Sequence, residues 1–188
     1  MENADQPLAP GQAHDEPNGQ AAGASLVTRH GLRLLVRPVS PADEPALAEF
    51  FRHVTPDDLR FRFLTAVNEV SHARLHAMVD VAPGTESFLA MPADDPQKVI
   101  GVAMLAAAPD NKRAEVAISI HAEYKGRGIG WTLLDYLANH ARDRGIGILE
   151  SIESRENHEA ITLEREMGFT VHGVEGDPGL VILRRTLV

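Results

Sequence analysis

The chain has no cysteine, which excludes disulfide bonds and any thiolate chemistry. It also has no excess of positive charge. Eighteen Lys and Arg against 27 Asp and Glu leave a net charge of -9, which argues against a general nucleic-acid binder. No apolar run is long enough to span a bilayer, so no membrane partner is expected. With no charged-then-apolar leader at the start, a cytoplasmic location is expected. Metal-site patterns are missing as well. The nine histidines (His14, His30, His53, His72, His76, His121, His140, His158 and His172) are scattered, only His72 and His76 stand at helical i,i+4 spacing, and no HExxH accompanies them. No metal is therefore expected. No internal repeat is found, and 188 residues are one domain's worth of chain.

The segment from Met1 to Ala24 lacks lysine and arginine altogether. It carries Glu2, Asp5, Asp15 and Glu16, three prolines, and Leu8 as its only large aliphatic side chain. Such a stretch cannot bury enough apolar area to offset an ordering cost of roughly 1 to 2 kcal/mol per residue, so residues 1–24 are expected to be a disordered acidic tail before a single domain at 25–188.

The densest signal lies between Ala114 and Gly145. In Ala114 to Ile120 alternate residues split into two faces, Glu115, Ala117 and Ser119 against Val116, Ile118 and Ile120. The glycine loop Lys125-Gly126-Arg127-Gly128-Ile129-Gly130 follows, and then a helix with Ile129, Leu133, Leu137 and Ala141 on one side and Gly145 as its stop. Glycines let backbone approach a ligand, and a helix start offers free amides and partial positive charge, a combination that suits phosphate or pyrophosphate. No Gly-Lys-Ser/Thr closes a P-loop here, and Trp131 stands where a dinucleotide fingerprint needs its third glycine.

Around this centre the pattern predicts a strand over Leu32 to Val39 that opens the folded domain. Helix starts follow at Ser40-Pro41, Thr55-Pro56 and Ser71. The alternating LRFRFL run after Thr55 does not define one face. Three strands in a meander come next, within Glu86 to Met91, Lys98 to Ala107 and Arg113 to His121. After the long helix, a strand over Ile146 to Ile152, a helix over Asn157 to Met167 and a closing strand pair are expected. The order implies an α+β (α/β) domain, a mixed, mostly antiparallel sheet of six to seven strands with helices on both faces.

Lys125-x-x-Gly128-x-Gly130 resembles motif A of the GCN5-related N-acetyltransferases (GNAT), Gln/Arg-x-x-Gly-x-Gly/Ala, with lysine in the first position. Asn157-x-x-Ala160-x-x-Leu163, ending in Gly168-Phe169, resembles motif B, with Glu164 where that motif usually has tyrosine. The opening LVRPVSPADEPALAEFFRHVTPDDLRFRF, with Arg62-Phe63, and the AEVAISIHAEYKGRGIG block are similar to the Pat type of bacterial protein lysine acetyltransferases. No counterpart of the Pat regulatory domain is expected in this sequence. The resemblance implies the GNAT fold over roughly Leu32 to Leu187 and acetyl-CoA as co-substrate. It also implies a cofactor site of Ile118, Ser119, Ile120, Lys125, Gly126, Arg127, Gly128, Ile129, Gly130, Trp131 and Asn157. The tyrosine is the usual acid toward the leaving thiolate, so this chain does without it or uses another donor. Asn157 equally suits a helix cap.

Acetyl transfer to an amine needs the neutral amine, whereas a lysine of pKa about 10.4 is protonated at pH 7. A carboxylate near the cofactor can take that proton. Glu115 is the candidate general base, expected to be buried among small residues, and the Pat resemblance names the same glutamate. Ion pairing with Lys112 or Arg113 is its plainer role. Glu150 is a second candidate, while Asp57, Asp58, Glu153 and Glu156 suit helix starts or surface charge. Three functions remain open: a protein lysine acetyltransferase, a small-molecule amine acetyltransferase, and a CoA-binding sensor without turnover, suggested by Glu164. Neither the acyl preference nor the oligomeric state is legible.

Overall fold

A computed structural model of the protein describes residues 23–187. Residues 1–22, most of the segment expected to be a tail, lie outside the described residues. Strands β1 (Ala24–Val27), β2 (Arg33–Pro38), β3 (Thr85–Pro92), β4 (Gly101–Ala107) and β5 (Arg113–Ile120) pair antiparallel in chain order. Helices α1 (Glu44–Arg52), α2 (Pro56–Phe63) and α3 (His72–Val79) lie between β2 and β3, and α4 (Ile129–Asp143) follows β5. β6 (Ile148–Ser154) then joins β5 in parallel, as a helical crossover permits. After α5 (His158–Glu166), β7 (Thr170–Val174) and β8 (Asp177–Thr186) complete one sheet in the order β1-β2-β3-β4-β5-β6-β8-β7.

The sheet has eight strands, not six to seven. The additional one is β1, which places the start of the folded chain before Leu32. Its four residues alternate half-buried and exposed, with Val27 63% exposed, so it carries little apolar signal. Thr28 closes the β1–β2 hairpin, its backbone amide bonding the Leu32 carbonyl at 2.9 Å and its hydroxyl accepting from the Leu32 amide at 3.2 Å.

Alternation along each strand divides the apolar residues between two cores. Leu34, Val36, Phe88, Ala90, Ala103, Leu105, Ala114 and Val116 face α4, whose Ile129, Leu133, Leu134, Leu137 and Ala141 are buried against them. Each fully buried leucine or isoleucine there contributes about 1.5 to 3 kcal/mol. Leu89, Met91 and Val102 on the other face bury Leu47, Phe50, Phe51, Leu59, Leu75, Met78 and Val79 of α1 to α3. The helix lies where the apolar period of four placed it, and Gly145, at φ +77°, ends it in the left-handed conformation.

The α1 entrance is built around Asp43. This buried carboxylate accepts from the Ser40 amide at 2.7 Å and from two nitrogens of Arg37 at 2.7 and 2.8 Å. The Arg37 hydrogen bonds, more than any other group, hold the Asp43 carboxyl down at about 2. Asp43→Asn is expected to cost about 2 to 3 kcal/mol in urea unfolding at pH 7. A depressed carboxyl adds stability above its unfolded pKa and loses it as pH falls, so the wild type, and not the variant, should lose this increment between about pH 4 and pH 2.

Candidate active site

β5 and β6 pair only through Arg113–Ile148, Ala114–Leu149 and Glu115–Glu150, and then part. A cavity of about 340 Å³ opens in the split. It lies beyond the carboxyl ends of two parallel strands, where open α/β sheets characteristically hold ligands. Its walls are β5 from Glu115 to Ile120, the glycine loop, the first turn of α4, the inner face of α5, and Phe61, Arg62 and Leu64 at the end of α2.

The glycine loop forms as the sequence implies. Gly126 (φ +72°) and Gly128 (φ +79°) occupy the left-handed region, and Gly128 is the N-cap of α4. The first amides of α4 have no intrahelical acceptor, and the positive end of the helix faces the cavity wall at Gly128, Ile129, Gly130 and Trp131. Two buried polar atoms in the same wall, Ser119 Oγ and Trp131 Nε1, have no hydrogen-bond partner among the described residues. Buried polar groups are ordinarily satisfied, so these mark where a polar ligand fits.

Of the residues expected at a cofactor site, Ile118, Ser119, Ile120, Lys125, Gly126, Gly128, Ile129, Gly130, Trp131 and Asn157 all line this cavity. Arg127 does not line it; it is exposed, its guanidinium 4.8 Å from the centre of the Tyr124 ring. Lys125 does not offer a free charge either. Its Nζ lies 2.9 Å from both Asp58 oxygens and 3.1 Å from Glu159, tying the loop to α2 and α5. Toward the cavity, the positive character of the loop therefore rests on backbone amides. Asn157 caps α5, accepting from the Ala160 amide at 3.4 Å, and donates from Nδ2 to Glu153 at 2.7 Å.

The β1–β2 hairpin also reaches the site, which sequence reasoning missed. Arg29 stacks 3.7 Å from the Trp131 ring centre, and His30 lines the cavity beside Gly128. No local signal marks them, because the contact spans the sheet edge and the α4 start.

The carboxylates are distributed otherwise than expected. Glu115 lines the cavity, but it is exposed, because β6 leaves β5 after Glu115 and its face opens outward. Among the described residues neither Lys112 nor Arg113 forms an ion pair with it; its charge acts on the half-buried Arg62 instead. Burial lowers the Arg62 pKa, and the charges of Glu115 and Glu153 oppose that shift. Glu150 lies outside the cavity walls, bonded to Arg184 at 2.6 Å. Glu153 and Glu164 are the buried-side acids. Burial first, and then the charge of Glu164, push Glu153 up to about 8. Burial pushes Glu164, 6% exposed, up to about 7, opposed by the hydroxyl of Ser151, which donates to it. Period two from buried Leu149 through Ser151 reaches Glu153, a signal available in the sequence.

Among the described residues no three His, Cys, Asp or Glu side chains converge on a possible metal ion, and no helix is long and apolar enough to cross a membrane.

Comparison with known proteins agrees with this geometry. Residues 49–169 match the Acetyltransferase (GNAT) family model. The acetyltransferase PA5475 of Pseudomonas aeruginosa is 28% identical over 159 residues, 84% of this chain and 86% of that one. The GNAT domain of S. lividans PAT superposes with a TM-score of 0.78 at 24% identity, covering 87% of this chain and 96% of the other. The spermidine N-acetyltransferase of Vibrio cholerae, solved with CoA and spermine, gives 0.67 at 18% identity, over 82% and 95%. A split sheet with a glycine loop and an amide-bearing helix start at its mouth, together with a family match across most of the folded chain, has one reading: the chain belongs to the GNAT acetyltransferase family and is an acetyl-CoA-dependent N-acetyltransferase.

Proposed function

We propose that the acceptor is a lysine side chain on a folded protein and that Glu115 takes its proton, directly or through one water. What supports this reading is the position of Glu115, exposed at the closed end of the split, on the last rung that β5 shares with β6. A lysine carried by a bulky partner reaches such a group without the partner entering the cavity. Asp58 and Glu159 share the single charge of Lys125, so with Glu115 they form an acidic rim that keeps an excess of negative charge and attracts an ammonium group. The Pat-like opening and the AEV block point the same way. Within this reading the free amides of α4 hold the pyrophosphate of acetyl-CoA, and Ile118, Ser119 and Ile120 border its acyl end.

A small-amine acceptor is the second reading, favoured by the same acidic rim and by the likeness to a protein whose structure holds spermine. The experiment offers acetyl-CoA with acetyl-CoA synthetase and, separately, with spermidine and free amino acids, followed by mass spectrometry. Lysine acetylation of the protein substrate is the expected outcome. Acetylation of the small amines alone would replace this reading with the second.

A further inference from the structure

The reaction needs an acid as well as a base, and the tyrosine position of motif B is occupied by Glu164. We propose that Glu164, backed by Glu153, is the group that protonates the departing CoA thiolate. The proposal rests on the acetyl-transfer activity and not on which amine accepts.

Geometry carries it. Glu164 sits on α5 facing the split, is 6% exposed, and lines the cavity together with Glu153 and Asn157. Ser151 on β6 fixes one carboxyl oxygen, Oε2. Asn157 fixes Glu153 Oε2 at 2.7 Å. Five carboxyl groups line this cavity, Asp58, Glu115, Glu153, Glu159 and Glu164, against two permanent cations, Arg62 and Lys125. Lys125 is held by Asp58 and Glu159, and the charges of Glu115 and Glu153 act on Arg62. Among the described residues no lining cation is left for Glu164, so a pyrophosphate-bearing ligand enters a cleft already over-supplied with negative charge. Keeping a proton on the most buried acid relieves that excess. The elevation of Glu164 to about 7 by burial, and of Glu153 to about 8 by burial and then the charge of Glu164, agrees.

The proton balance closes. The ammonium gives one proton to Glu115, which passes it to solvent. Nitrogen attacks the thioester carbon and sheds its second proton to Glu115 as the C–N bond forms. The C–S bond breaks with its electron pair going to sulfur, and sulfur takes the proton of Glu164. Glu164 is refilled through solvent from the proton Glu115 removed, so each turnover releases one net proton.

The test follows thiol release by the full chain from pH 5.5 to 9.5, with acetyl-CoA and either acetyl-CoA synthetase or spermidine. Glu164→Gln keeps the shape and the Ser151 contact but cannot donate its proton. It is expected to lower kcat about 100-fold, to leave the KM for acetyl-CoA within about twofold, and to abolish the alkaline fall of the wild-type pH profile. A merely structural role would not move that limb. As an activity-free measurement, the infrared band of a neutral carboxyl should be present in the wild type at pH 6.5, gone by pH 9.5, and weakened at pH 6.5 in Glu164→Gln. A variant matching wild type in kcat and pH profile overturns the proposal, and so does absence of the band at pH 6.5. Failure of the acceptor reading looks different: wild type releasing thiol with spermidine alone.

Discussion

Glu115→Gln is expected to lower kcat by about 100- to 10,000-fold while leaving acetyl-CoA affinity within a factor of about two. The amide is isosteric with the carboxylate but cannot take a proton from an ammonium. The residue stands on β5 at the last rung shared with β6, facing away from the helix start whose amides suit the pyrophosphate. Binding and proton transfer are therefore carried by different parts of the cleft, and removing one should spare the other. Thiol release gives kcat, and calorimetric titration with acetyl-CoA gives the affinity. The loss should shrink as pH rises toward the pKa of the acceptor lysine, since free neutral amine then no longer depends on a base. Equal turnover at pH 7 in variant and wild type would remove Glu115 from the mechanism.

Gly130→Glu should do the opposite, abolishing cofactor binding while sparing the fold. A Cβ added at Gly130 meets only Leu163 Cδ1, at 3.5 Å, an ordinary contact. The position lies in the first turn of α4, where a non-glycine residue gains roughly 0.5 to 1 kcal/mol of helix stability and a carboxylate a further 0.3 to 1 kcal/mol from the helix dipole. The same carboxylate sits in the anion site and repels the pyrophosphate by several kcal/mol, which is about 100-fold or more in Kd. Thermal unfolding and acetyl-CoA titration should therefore move apart, the melting temperature unchanged or raised and affinity lost. A variant that binds acetyl-CoA as wild type does would show that the α4 start is not the anion site. Gly130→Ala, with volume but no charge, isolates the electrostatic share.

The sequence carries the frame of this molecule more fully than its acids. The β3–β5 meander was legible because apolar runs alternate there with turn-rich loops, and β5 and the α4 face because a period of two and a period of near four are unmistakable over eight residues or more. The glycine loop was legible because few other arrangements put Gly126, Gly128 and Gly130 between a strand and a helix. By contrast, α2 resisted assignment. Phe61 and Phe63 mimic a strand, and only Leu59 is buried. What starts that helix is Thr55, whose hydroxyl accepts from the Asp58 amide at 3.1 Å. The state of each carboxyl depended on where β6 departs from β5, a tertiary fact. Glu115 was expected in the interior and is exposed, whereas Glu153 was expected at the surface and lies in the split. Lys125 was expected at the cofactor site and lines the cavity, but the partner of its charge, Asp58, is distant in sequence and no local pattern announces it.

The parting of β5 and β6 has a further consequence, for self-association. From Val116 onward on β5, and from Ser151 onward on β6, each strand has a flank unpaired by the other. Exposed flanks of this kind are templates for strand addition by another chain and a route to aggregation. These two are turned inward, toward each other, with α2 against them on one face of the sheet and α4 and α5 on the other. The protein thus keeps the hydrogen-bonding capacity of two open strands inside a cavity of about 340 Å³, away from the outer edges of the sheet where another chain would add a strand.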